Sequence, residues 1–199
     1  YFNSCTMLSE DGEYLKSARV QQYFTAKKIH RLMKTQKESF IRHFQHHTRT
    51  GKSFTFKIIS KMAYKLFNHK YKKVLFFTHD VSSVLESVKT EFKNLEFPNG
   101  EIQVIDSMKD YVEVFSKPTL FGMYIVNMQK IPKSAKVIDA STEIIILIDE
   151  VHTHQGSSEE TNDKETMADF RRKQFPNATQ ISATASPIMK EVIVKTKDK

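Results

Sequence analysis

Short runs of β-branched and aromatic residues alternate along this chain with longer stretches in which apolar residues recur every three or four positions. That alternation is the pattern of parallel strands joined by helical crossovers. Residues 17–37 predict a helix with a ragged apolar face marked by Val20, Tyr23, Phe24, Lys27, Ile29 and Leu32. Residues 40–45 predict a short first strand that runs into a loop over 46–53. A clearer helix follows, with Phe54, Ile58, Ile59, Met62, Leu66 and Phe67 at helical spacing. Residues 74–78 (VLFFT) predict a fully buried strand, and 82–95 a helix capped by Ser82 or Ser83. After a Pro98-Asn99-Gly100 turn, residues 102–105 predict a strand, 107–115 a helix and 123–127 another strand. The strongest strand signal is 144–148, five aliphatics ended by an acidic pair. Residues 156–163 read as a polar loop and 179–182 as a last short strand. Roughly six strands with crossover helices predict a doubly wound α/β sheet, mainly parallel, with helices on both faces. Their order is not encoded in the pattern.

Composition narrows the class. The chain has 199 residues, 39% hydrophobic and 27% charged, which suits a soluble globular unit over 17–199 with a flank at 1–16. One cysteine, Cys5, excludes an internal disulfide. The first residues lack a charged head followed by an apolar run, and no aliphatic run approaches the ~20 residues of a membrane span. The expectation is a cytoplasmic protein with no membrane partner. The formal net charge is +8 and the pI about 9.4. The basic excess reads as scattered, with small clusters at 27–28, 70–73 and 171–173; it fits either a polyanion partner or a solvated surface.

Three segments carry candidate chemistry. Thr50-Gly51-Lys52-Ser53 lies between a predicted strand and an amphipathic helix. A phosphate-binding loop needs backbone N–H groups around a polyphosphate, a lysine against the outer phosphates, a hydroxyl for Mg²⁺, and a helix N-terminus aimed at the anion. Asp149-Glu150-Val151-His152 follows the aliphatic strand. Carboxylates at the C-terminal end of a buried parallel strand emerge where such sheets bind ligands. There Asp149 suits the Mg²⁺ shell and Glu150 the orientation and deprotonation of an attacking water. The third segment, Ser182-Ala183-Thr184-Ala185-Ser186-Pro187, is a run of small hydroxyl residues after the last strand. By itself it is a plain small-residue loop.

In this order the three segments resemble motifs I, II and III of superfamily 2 helicases and translocases, which have a P-loop, RecA-like fold. HHTRTGKSFT, DEVHTHQ and FPNATQISATASPI are similar to the corresponding segments of the motor subunit of type I restriction enzymes. Arg19 to Tyr23 resembles the adenine-recognising region ahead of motif I, with Gln22 as the base-reading residue. Residues 74–80 and 127–130 resemble motifs Ia and Ib. The resemblance covers about 17–190. It implies Mg²⁺ and ATP as cofactors, held by Gln22, Thr50, Gly51, Lys52, Ser53 and Asp149. Lys52, Asp149 and Glu150 would be catalytic, and His152 and Thr184 would couple nucleotide state to DNA. It implies double-stranded DNA and the modification (methyltransferase) and specificity subunits of a restriction complex as partners. The nuclease domain and second RecA-like domain of such a subunit have no counterpart here, so turnover by this stretch alone is expected to be poor.

Departures mark where the resemblance thins. Arg49 stands where the family has Gly, Val81 where it has Arg, and Asn127 and Ser186 where it commonly has Thr. Two other readings compete: a stand-alone superfamily 2 DNA helicase or repair translocase, and a degenerate P-loop module that no longer hydrolyses ATP and serves as a DNA-binding or assembly surface. Arg49 keeps the latter open, because a bulky residue replaces one that accepts positive φ without strain.

Overall fold

The computed structural model describes residues 6–8, 13, 15–46, 51–67, 70–78, 102–105, 107–116, 122–127, 137–149 and 172–184. Two short strands come first, β1 (Thr6–Leu8) and β2 (Leu15–Ser17), paired antiparallel as a separate two-stranded sheet. The hydropathy pattern gave no element there, because three-residue strands are shorter than the window in which alternation registers. Ser17 therefore ends a strand, and the first helix, α1, begins later than expected and runs Val20–Thr35.

Helix α1 buries Gln22, Ala26, Ile29 and Met33, a stripe spaced by three or four. Its C-terminal end is closed from outside, since Lys70 Nζ donates to the carbonyls of Met33 at 3.2 Å and Gln36 at 2.6 Å. A cation there offsets the partial negative charge of the exposed helix carbonyls. After strand β3 (Ile41–Gln45) comes helix α2 (Lys52–Phe67), which packs against α1 and buries Phe56, Ile58, Ile59, Met62, Ala63 and Phe67. Burying such side chains is worth about 1.5–3 kcal/mol each.

The remaining elements are β4 (Lys73–Thr78), β5 (Gln103–Ile105), α3 (Met108–Ser116), β6 (Gly122–Asn127), β7 (Ile144–Ile148) and β8 (Thr179–Thr184). They complete a six-stranded sheet of order β3-β8-β7-β4-β6-β5 in which every pairing is parallel. This is the doubly wound α/β architecture expected. Strands β6, β7 and β8 are buried along their whole length, as parallel strands covered on both faces must be. One face of the sheet (Val74, Phe76, Met123, Ile125, Ile145, Leu147, Ile181, Ala183) packs under α1 and α2. The other face (Leu75, Phe77, Tyr124, Val126, Ile144, Ile146, Ile148) packs with Tyr111 of α3 and with Phe175. Strand β8 runs two residues beyond the expected end because Thr184 stays in register with Gln45 of β3. The helix expected over 82–95 and the loop over 156–163 lie outside the described residues, as do Arg49, Thr50, Val81, Glu150, His152 and Ser186. Among the described residues no helix is long and apolar enough to cross a membrane.

Candidate functional site

The strand order decides what meets at the C-terminal edge of the sheet. Strands β3 and β7 are not neighbours; β8 lies between them, with Gln45 level with Thr184 and Ile148 level with Ser182. The segments that leave β3 and β7 therefore emerge side by side on one rim, two strand spacings apart, about 9–10 Å. Lys52, the first residue of α2, spans that gap: its Nζ lies 3.5 Å from Asp149 Oδ1. The lysine side chain is 12% exposed and the aspartate 30%, so the pair is largely withdrawn from water while its rim stays open. Two residues that sequence alone put in one site, 97 positions apart in the chain, are thus in ionic contact. Ser53 follows Lys52 in the first turn of α2 and is half-buried.

Gly51 precedes α2 with φ +85°, in the left-handed region that glycine occupies without strain. Its carbonyl accepts the Thr55 backbone N–H at 3.2 Å, which opens the helix, and also the Gln22 Nε2 amide at 3.1 Å. Gln22 is buried at 4% exposure, and its Oε1 in turn accepts the Arg19 backbone N–H at 2.8 Å. The residue expected to read a base thus joins the first turn of α1 to the glycine of the phosphate-type loop. Sequence spacing gave no sign of this link, because the two residues are 29 positions apart.

His46 was also missed as a site residue. It opens the loop directly after β3, is 4% exposed, and ties three elements together. Its backbone N–H donates to the Thr184 carbonyl at 3.1 Å, its Nε2 shares a hydrogen bond with Thr25 Oγ1 of α1 at 3.0 Å, and its ring meets Phe44 edge-on. Its Nδ1 is buried and has no hydrogen-bond partner among the described residues. Burial, and then the nearby Lys52 ammonium, push its pKa below the usual histidine value, so the ring is held neutral. The signal for it was present in sequence as a histidine where such loops open with glycine. Thr184 closes β8 beside it, buried at 2%.

The site therefore holds a helix N-terminus, a lysine in its first turn, a carboxylate across a 3.5 Å gap and a loop pinned by Gln22 and His46. Such a set suits a polyanion chelated to a divalent cation: the lysine and helix terminus face the anion and the carboxylate faces the metal.

Comparison with known proteins gives the following. A family model described as SWI2/SNF2 ATPase matches residues 21–199. None of the curated proteins matches at a significant level. The Sulfolobus solfataricus SWI2/SNF2 ATPase core in complex with dsDNA superposes with a TM-score of 0.54 at 14% identity, over 89% of this chain and 34% of that one. The Pyrococcus furiosus Hef helicase domain does so with a TM-score of 0.54 at 18% identity, over 87% of this chain and 34% of that one. At these identities the likeness is one of fold, and the chain spans about a third of the length of either structure.

Proposed function

Because the chain belongs to the SWI2/SNF2 ATPase family, we propose that it binds Mg–ATP at the Lys52–Asp149 rim as the first RecA-like half, residues 17–199, of a motor that moves along duplex DNA. The observation that carries this reading is the 3.5 Å contact between Lys52 and Asp149 on a rim built by non-adjacent parallel strands. In the bound form the Lys52 ammonium turns from Asp149 to the outer phosphates, and the N-terminus of α2 faces the same charge. Asp149 and the Ser53 hydroxyl hold Mg²⁺, which when bound offsets the phosphate charge that builds up during phosphoryl transfer. Glu150, next after Asp149, orients and deprotonates the attacking water, and Thr50 and Gly51 supply loop backbone. Gln22 stands by the adenine, and His152 and Thr184 pass nucleotide state to the DNA-facing segments. Two observations bring duplex DNA into this reading: the Sulfolobus core of like fold is bound to dsDNA, and this chain carries a basic net charge.

The finer assignment is the motor of a type I restriction complex, working with modification and specificity subunits in the cytoplasm. It rests on the Phe175-Pro176-Asn177-Ala178 segment and on the histidine that opens the loop. A stand-alone superfamily 2 helicase or repair translocase fits the family equally well. Calorimetric titration of Mg–ATP into the chain and into its Lys52→Ala and Asp149→Asn variants tests the site. Loss of at least about tenfold in affinity in each, roughly 1.4 kcal/mol, is expected. Unchanged affinity in both variants would overturn the site.

A further inference from the structure

Helix α1 turns one face inward, where Gln22, Ala26, Ile29 and Met33 are buried. At about 3.6 residues per turn, Val20, Phe24, Lys27, Arg31 and Lys34 fall on the opposite face, in one row whose members stand alternately four and three apart. All five are exposed, as is Lys28 beside them. The row is about 21 Å long at the rise of an α-helix. Its two ends differ in kind. Of the large apolar side chains exposed among the described residues, Val20 at 71% and Phe24 at 61% are the most exposed, and both stand at its start.

The remainder of the row is cationic. Helix α1 contains no acidic residue. Lys27 Nζ lies over the Tyr23 ring at 5.9 Å. Among the described residues neither it nor Lys28, Arg31 or Lys34 is in a salt bridge. Arg31 stands three or four positions from each of the three lysines, the spacing at which like charges destabilise a helix. The charge extends beyond the helix. Between Tyr14 and His79 the sequence carries 16 lysines and arginines against the single acid Glu38, while the rest of the chain carries 15 against 22. The basic excess that reads as scattered is concentrated in the part of the chain that includes α1.

We propose that the outward face of α1 is a docking site for an amphipathic acidic helix of a partner protein, with apolar side chains set against Val20 and Phe24 and carboxylates against Lys27, Arg31 and Lys34. Each feature selects this occupant. Steps of four and three keep a row of side chains along the line where two helices touch, which is the spacing of a two-helix seam. The apolar start of the row gains from being covered by apolar atoms. Carboxylates opposite the cationic remainder offset the repulsion that Arg31 and the three lysines otherwise bear. A duplex backbone would use the four cations but leave Val20 and Phe24 in water. This inference does not depend on the nucleotide reading of the rim.

Fluorescence anisotropy and circular dichroism with labelled 16-residue peptides, the length of α1, test it. The probe is alanine-based, with leucines towards one end and glutamates towards the other on a single helical face. It is expected to bind the chain and to gain helicity as it does so. A counterpart with lysine for glutamate, and a peptide of the same composition with its leucines and glutamates spread around the helix, are expected not to bind. Lys27→Glu, Arg31→Glu and Phe24→Ser, exposed changes checked for an unaltered thermal melt, should each weaken binding about tenfold or more. Equal binding of the three peptides to the parent chain, no binding of any, binding without a gain in helicity, or indifference to the three substitutions overturns the proposal. So does a duplex oligonucleotide that displaces the peptide and loses affinity through Lys27→Glu and Arg31→Glu, which would assign the face to nucleic acid.

Discussion

Replacing Gly51 by alanine puts the link between α1 and the loop under direct test. At φ +85° an added Cβ is strained whatever the space around it, a cost of about 1–2 kcal/mol for an L-residue in this region. Space is also lacking, because that Cβ would fall inside van der Waals contact with the Gln22 amide nitrogen. Gln22 is 4% exposed and its amide is engaged at both ends, so it cannot swing aside without losing its bond to the Gly51 carbonyl. Displacing a buried amide adds about 1–3 kcal/mol. The total, roughly 2–5 kcal/mol, corresponds to a fall in melting temperature of about 4–20 °C for a chain of this size. Thermal and urea denaturation followed by circular dichroism measure it, and a double-mutant cycle with Gln22→Ala divides it. In the Gln22→Ala background the backbone strain should remain and the steric part disappear, leaving a coupling of about 1–3 kcal/mol. The reasoning fails if Gly51→Ala costs less than about 0.5 kcal/mol, within the noise of ordinary surface changes. It fails equally if the cost is the same in both backgrounds.

Two further outcomes follow from named contacts and a third from the loop sequence. Folding lowers the His46 pKa below 6.5, so below that pH the unfolded chain binds the extra proton and stability falls as pH falls; His46→Gln should flatten the urea-derived slope between about pH 5 and 7 relative to the parent, and an unchanged slope refutes the assignment. Lys70→Met removes the cation that closes α1, and should cost about 1–2 kcal/mol in denaturant unfolding; a neutral result would mean solvent serves those carbonyls as well. Arg49→Gly should strengthen Mg–ATP binding about tenfold in calorimetry, since glycine accepts positive φ and leaves room for phosphate oxygens, and equal or weaker binding would make Arg49 tolerated or itself a phosphate ligand.

What sequence revealed and what it hid divide along a physical line. Strands β4, β6 and β7 were readable because a strand buried on both faces must be apolar without interruption, and few other elements leave a run such as the one ending at Ile148. Helix α2 was readable because one face alone is buried. The Lys52–Asp149 meeting was readable only through the order of motifs, since local pattern carries no strand order; it takes β8 between β3 and β7 to bring the two rims together. The β1–β2 hairpin was invisible at three residues a strand. The links from Gln22 to Gly51 and from Thr25 to His46 were invisible for another reason. Single long-range hydrogen bonds leave no periodicity, and polar side chains in a helix read as surface until packing shows that they are buried.

Those two links bear on how the described ends of a loop poor in glycine are held. Between His46 and Ser53 the only glycine is Gly51, the one residue of that stretch described with positive φ. A glycine-rich loop is flexible in the unfolded chain and loses much entropy when ordered; a loop of threonines, histidines and an arginine starts with fewer states and loses less. Its two described ends are each fastened. His46 is fastened at its backbone to the end of β8 and at its ring to α1, and Gly51 is fastened by its carbonyl to Gln22 of α1. Both ends of the loop are thus referred to one helix. A shift of α1 along its axis would move the two anchors together and so bear on Lys52, the residue after Gly51, and a substitution at either anchor would disturb the same link. Helix α1 is therefore tied to both described ends of the loop, through Thr25 to His46 and through Gln22 to Gly51.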